Sequence, residues 1–357
     1  MKRLWSTPLR IEPSTLAYAA AHPEVSVREI HAAESVVIPP APFSFDAIAH
    51  EETSAPAFVF EIPNIDFWAH YGGAVVTSDN ALLADLSPEV WGPNHHPIFS
   101  RWRLPPSQLL TGRIGIAVTP EATGNYYHWL LDALPRLLLL RNATGNFANY
   151  DALLLNGSRA PYETESLEAL KIPREQIRFV DSSDRFHIAS ALFPSMDQTA
   201  KTIAPWKITA LRQLVGNEPP PNDHRIYISR KRAPVRRIAN EDEIAPLLRG
   251  SGFSIVQLED KPWIEQACIF ANAEIIITPH GAALANAVFC SAGAHICELS
   301  TRAGYRDWYL HLAAAAGLHY HCLEATPVTM SSSPHHAHEN DDMTLSPESL
   351  QHFLSSL

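Results

Sequence analysis

Residues 274–290 read EIIITPHGAALANAVFC, a strand, a turn and a helix in immediate succession. Three consecutive isoleucines make the short β-branched run expected of a strand. Pro279, His280 and Gly281 end it, and a run of small residues starts at once. A strand that passes directly into a helix is half of a βαβ unit, so its sheet should be parallel. The glycine lets the backbone approach a ligand closely, and the first N–H groups of the helix face whatever lies there.

The same rhythm continues on both sides. Strands are expected at 224–230, 253–259, 274–279, 295–299 and 319–322, with helices at 240–250, 262–273, 282–290 and 305–318. Five strands joined by four helices predict a doubly wound α/β domain. Asn240, with Glu243 three residues on, has the form of a capping box at the start of its helix. Upstream, strands at 112–118, 151–157 and 176–182 alternate with helices at 125–137, 162–172 and 205–218. Residues 57–62 and 72–78 read as short antiparallel strands, 91–102 as a loop and 1–56 as an irregular lead-in.

The stiff connector PPPND (219–223) puts a domain boundary between 195 and 222. The expected organisation is an N-terminal domain over 1–204, with a lead-in to 111 and α/β structure over 112–204. A Rossmann-like domain over 205–330 follows, and then 331–357, a polar segment expected to be mobile with a closing helix at 346–357.

A chain of 357 residues suits two domains. With 46% hydrophobic and 18% charged residues it should fold as a globular protein. Its net charge of −11 argues against a general nucleic-acid binder, so an anionic ligand must be met by a local basic cluster. Cys268, Cys290, Cys297 and Cys322 form no CxxC pair and sit among apolar neighbours, which fits a reducing, cytoplasmic compartment. No uninterrupted span of about 20 apolar residues occurs, so no transmembrane helix is expected; peripheral contact with an inner membrane is compatible with this.

Three segments carry chemistry. NYYHWLLDALPRL (125–137) is leucine-rich but holds His128, Asp132 and Arg136, which on an ideal helix fall within roughly 80° of one another. Such a stripe faces either a cleft or a hydrogen-bonded core network. Pro135 removes the bond to Leu131 and either kinks this helix or starts a second one. SRKRAPVRRIANEDE (229–243) places Arg230, Lys231, Arg232, Arg236 and Arg237 after a strand, as an anion trap or as a solvated surface loop. In PHGAALANAVF (279–289), His280, Gly281 and Ala282 form either a phosphate-binding turn or a tightly packed one. Glu298 ends the next strand, where a carboxylate suits ribose hydroxyls.

There is no GxGxxG after a strand, no GxxxxGK[ST], no GxSxG and no HExxH, which disfavours several common enzyme classes. Nor is there an Asp-x-Asp to chelate a metal–diphosphate. His335, His336 and His338 could bind a metal, but in a polar tail this signal is weak.

In this order the three motifs, with the CEL that follows, resemble glycosyltransferase family 61 over about 112–322. The resemblance implies a GT-B-like α/β architecture, two Rossmann-like domains facing a central cleft. It also implies inverting transfer from a nucleotide-sugar co-substrate, UDP-linked, to a glycan or lipid-linked acceptor, with no essential metal and a place in polysaccharide biosynthesis. By the same resemblance the diphosphate lies among Arg230, Lys231, Arg236, Arg237, Asn240 and the His280-Gly281-Ala282 turn, with Glu298 near the ribose. Asp132 or His128 is the base on the acceptor hydroxyl, Asp132 being preferred with His128 or Arg136 orienting it, and Asn125, Tyr126 and Tyr127 lie on the acceptor side. Ala283 departs from the glycine that many relatives carry, so the donor sugar does not transfer with the resemblance. Two other readings remain, a non-catalytic carbohydrate- or nucleotide-binding module and a nucleotide-sugar epimerase of the same fold.

Overall fold

The computed structural model describes residues 8–44, 48–196, 203–216, 223–328 and 340–357. Its first elements are β1 (Arg10–Glu12), α1 (Thr15–Ala21), β2 (Ser26–His31), β3 (Ser35–Ile38) and β4 (His50–Thr53). β5 (Ala57–Trp68), β6 (Ala74–Val76), β7 (Ala81–Leu83) and β8 (Ser107–Ile116) come next. Then come α2 (Tyr126–His128), a π-helical turn (Trp129–Ala133), α3 (Leu134–Thr144), β9 (Ala152–Leu155), α4 (Pro161–Ala169), β10 (Ile177–Phe179) and β11 (Arg185–Pro194).

The second half runs α5 (Pro205–Arg212), β12 (His224–Ile228), α6 (Glu241–Gly250), β13 (Phe253–Val256), α7 (Trp263–Ala271) and β14 (Ala273–Pro279). A 3-10 helix (Ala282–Phe289), β15 (His295–Ser300), α8 (Trp308–Ala316), β16 (His319–Glu324) and α9 (Pro347–Ser356) complete it. The chain forms two compact units, Met1–Glu34 with Ala55–Ala200, and Ser35–Ser54 with Lys201–Leu357.

The first unit is built on a nine-stranded mixed sheet in the order β1-β7-β6-β5-β11-β8-β9-β10, with β2 also paired to β5. β8, β9, β10 and β11 pair in parallel, as do β1 and β7, whereas β5 runs antiparallel to β2, β6 and β11. Ile62, Ile65, Phe67, Ile114, Phe186 and Ile188 are all at most 1% exposed and belong to one apolar cluster on this sheet. Its strand β11 was not expected from sequence. Residues 185–188 alternate between partly exposed and buried, but 191–194 are continuously buried, so no single period marks the strand. The lead-in also differs from expectation: it is not irregular, because β1 and β2 extend this sheet and β3 pairs with β4.

The hairpin β3–β4 belongs to the second unit. Phe43, between its strands, packs edge-on against Tyr305 with ring centroids 5.5 Å apart and lies under the Arg302 guanidinium.

The second unit has five parallel strands in the order β13-β12-β14-β15-β16. Each lies within a few residues of its expected position. In such a sheet the order reverses between the first and third strands in chain sequence, here β12 and β14, and ligands bind beyond the carboxyl ends at that point. Ile276 and Ile277, adjacent and so on opposite faces of the central β14, are both fully buried. The segment after Gly281 corrects the expected α-helix: it is the tighter 3-10 form. Among the described residues no helix is long and apolar enough to cross a membrane. Most of the proline-rich connector, and His335, His336 and His338, fall outside the described residues.

Helix α6 starts where Asn240 suggested, but not by the expected cap. The Asn240 side chain makes no bond to the first-turn amides; it donates to Leu345 O at 2.9 Å and accepts from the Leu345 N–H at 3.0 Å, while also donating to Glu243. It therefore ties the C-terminal segment that leads into α9 to the start of α6. Removing both bonds by Asn240→Ala should destabilise the fold by about 2 kcal/mol, read as a lower urea midpoint at unchanged slope.

Candidate active site

One polar cluster lies in the first unit. Asn125 caps α2 by accepting from the Tyr127 N–H at 3.1 Å, which fixes the start of the helix that carries His128. Tyr126 packs edge-on to Tyr162 and Tyr127 edge-on to His128. His128 Nδ1 lies 2.8 Å from Asp132 Oδ2, and its Nε2 lies 2.9 Å from Glu121 Oε2. With a carboxylate at each ring nitrogen, the imidazole is placed to donate twice. Burial opposes its charge, but hydrogen bonds and charge from Asp132 and Glu121 outweigh burial and hold its pKa above the usual histidine range. Asp132 keeps a third of its side-chain surface open.

Arg136 behaves differently from the stripe expected on an ideal helix. The chain widens into a π turn over Trp129–Ala133, where the Leu134 N–H reaches back to Trp129 O. Pro135 follows in the first turn of α3, where its missing N–H leaves no broken α-helical bond. The wider turn changes the angular register, and Arg136 enters the core at 5% exposure. Its guanidinium donates to Val118 O, to Ile116 O at 3.4 Å and to Pro194 O at 3.3 Å. These bonds tie α3 to the ends of β8 and β11.

The other cluster lies in the second unit, at the carboxyl ends of β12, β14 and β15. His280 Nδ1 meets Glu298 Oε1, and the Tyr320 hydroxyl donates to Glu298 Oε2 at 2.6 Å. Glu298 is fully buried. Burial beside this carboxylate pushes the Tyr320 hydroxyl far up, so it stays a donor. Glu298, expected near the ribose, has one oxygen on His280 and the other on Tyr320. The turn itself is held by the Tyr309 hydroxyl, which donates to Gly281 O at 2.7 Å.

Arg230 lies over that turn. A Cβ on Gly281 would overlap Arg230 Nη1, so this position has room only for glycine while the guanidinium stays in place. Burial lowers the Arg230 pKa, and neighbouring Arg236 lowers it further. The Nε atoms of both arginines are buried with no hydrogen-bond partner. Arg236 also holds a left-handed backbone at φ 59°, uncommon for a side chain of its size. Two like charges brought together with donors left over favour an anion between them.

The rest of the expected anion trap is taken by ion pairs. Lys231 binds Asp242 at 2.8 Å, Arg232 binds Asp260, and Arg237 Nε lies 2.9 Å from Asp342 Oδ2. The five cations thus divide into three surface pairs and the Arg230–Arg236 couple. Asn240 is engaged with Leu345, and Ala282 opens the 3-10 helix after the turn.

Sequence reasoning missed three participants. Glu241 is buried and accepts from Ser229 and Tyr227, tying the end of β12 to the start of α6; as one of three acidic residues in a first helical turn it resembled an ordinary exposed one. Tyr320 had no motif around it. Glu121 lies in a loop seven residues before His128, where only the path of that loop makes it a neighbour. Among the described residues no group of three or more His, Cys, Asp or Glu could hold a metal ion.

Residues 126–297 match the family model described as Glycosyltransferase 61. The chain carries a glycosyltransferase family 61 domain. The match opens at Tyr126, two residues before His128, and closes one residue before Glu298, so it includes His128, Asp132, Arg230, Arg236, His280 and Gly281 and leaves Glu121, Glu298 and Tyr320 outside. No curated protein matches the chain.

Arg136→Leu should destabilise the glycosyltransferase by roughly 3 kcal/mol or more, because several buried carbonyls lose their donor together. Urea unfolding measures this, and a loss under 1 kcal/mol would show the clamp to be unimportant.

Proposed function

We propose that the enzyme transfers a sugar from a nucleotide-sugar donor to a hydroxyl of a glycan or lipid-linked acceptor, with inversion and without an essential metal. Its two units would act as a GT-B-like pair on one donor and one acceptor. The observation that carries this reading is the Arg230–Arg236 couple over Gly281, at the switch point of a parallel sheet, with unused N–H donors on both guanidiniums.

The donor diphosphate is assigned to these arginines, to the first N–H groups of the 3-10 helix and to His280, whose Nδ1 is fixed by Glu298. Asp132 removes the proton from the acceptor hydroxyl. The acceptor oxygen then attacks the anomeric carbon from the face opposite the diphosphate, and the sugar–phosphate bond breaks with its electron pair leaving on the diphosphate oxygen. Arginine and backbone N–H donors stabilise that charge as it develops, the part a divalent cation plays in other transferases.

Between the two candidate bases the geometry favours Asp132. Both nitrogens of His128 face carboxylates, whose charge raises its pKa, so neither nitrogen is turned toward an acceptor hydroxyl. A uridine nucleotide is the first donor to try, following the family resemblance, and a lipid-linked acceptor would bring the enzyme to the cytoplasmic face of an inner membrane.

A thermal-shift panel of nucleoside diphosphates in EDTA tests the donor site. UDP or another nucleoside diphosphate should raise the Tm, since a ligand that binds only the folded state stabilises it by mass action. Gly281→Ala, which displaces Arg230, should weaken that binding about tenfold or more, because a charge-assisted hydrogen bond contributes roughly 1.5–3 kcal/mol. No shift with any nucleotide, or a shift that requires divalent metal, would refute the assignment.

A further inference from the structure

We propose that Glu121 is the third member of a Glu121–His128–Asp132 constellation, a positioning residue that holds His128 as the double donor orienting Asp132 for glycosyl transfer. This rests on the reading of Asp132 as the base. Glu121 lies outside the matched residues 126–297, and its distance to His128 Nε2, 2.9 Å, is nearly that of Asp132 to Nδ1, 2.8 Å.

The loop that carries Glu121 is built to present it. Thr119 is pinned to Asn156 at the end of β9, its N–H donating to Asn156 Oδ1 at 2.8 Å and its carbonyl accepting from Asn156 Nδ2 at 2.7 Å. Glu121 itself holds a left-handed backbone at φ 58°, which a non-glycine residue seldom adopts without a local requirement. Its side chain is half-exposed, so no packing need explains its direction. The charged groups facing His128 are Asp132, four residues on along its own helical segment, and Glu121 from the loop; Tyr127 packs edge-on to the ring, and the Tyr71 hydroxyl lies 3.4 Å from the other oxygen of Glu121.

The chemistry follows from counting protons. A doubly protonated imidazole donates to both carboxylates at once and fixes the plane of Asp132. After losing a proton it has one N–H, for which two carboxylates compete, and Asp132 is released whenever that proton sits on Nε2. The raised His128 pKa has the sign this requires: the orienting cation is present below the folded value and is lost as pH rises through it. Without Glu121 one of the two charges that hold the cation is gone, and the loss begins at lower pH.

The test uses full-length enzyme with ring-labelled histidine, the His128 signal being assigned by its absence in His128→Gln. Glu121→Gln should lower the His128 titration midpoint and move the alkaline limb of kcat downward by the same interval, with the donor KM unchanged. Beyond that limb kcat falls about tenfold per pH unit, as for a single titrating group. Glu121→Asp should restore part of both shifts, and in a His128→Gln background Glu121→Gln should have no further effect on kcat. An unchanged His128 midpoint in an active enzyme overturns the proposal, and so does a lowered midpoint with an unmoved kcat limb. Failure of the underlying transfer reading is a separate outcome, seen as wild-type enzyme that makes no nucleotide-dependent product.

Discussion

A guanidinium almost out of contact with water must find acceptors for its N–H groups, and Arg136 finds them on the carbonyls of Ile116, Val118 and Pro194. Much else in the first unit depends on that requirement. The carbonyls belong to β8, to the residues just beyond it and to the end of β11, so meeting it ties α3 to the carboxyl ends of two central strands. The π turn before α3 then accommodates Pro135 and rotates Arg136 inward, while His128 and Asp132 stay at the half-exposed surface. The leucines of this helix pack in the core, and the buried charge fixes its rotation and position.

In the second unit the governing constraint is the absence of a side chain at one residue. Gly281 permits Arg230 to lie across the turn after β14, and Arg236 is held nearby on a left-handed backbone. Glu298 and Tyr320 position His280 at the next strand. The result is a concentration of donors at the carboxyl end of a parallel sheet in a chain whose net charge is −11. Lys231, Arg232 and Arg237 contribute little to it, because each has a carboxylate of its own.

How much of this was legible in the sequence depended on the range of the interactions concerned. The five strands of the second unit could be read because the first four are each followed by a helix and the central β14 is buried along nearly its whole length, a local pattern. β11 could not, because its partners β5 and β8 lie far away in sequence and its alternation stops halfway along. The lead-in was misread for the same reason: β1 and β2 gain their identity from β7 and β5. At the site, the His128–Asp132 pair was legible from its four-residue spacing. Arg136, at the same spacing again, was placed on the wrong face, since a π turn alters the register and has no reliable sequence signature. The ion pairs of Lys231, Arg232 and Arg237, the burial of Glu298 and the approach of Glu121 to His128 are tertiary facts, set by loops and by neighbouring strands.

The central claim is that Asp132 takes the acceptor proton while the arginines of the other unit hold the donor. Steady-state turnover of Asp132→Asn, measured alongside its affinity for the nucleoside diphosphate, tests it most directly. Loss of a positioned general base should reduce kcat by about 10²–10⁴-fold with donor affinity essentially unchanged. Turnover within a few-fold of the unaltered enzyme would contradict the account.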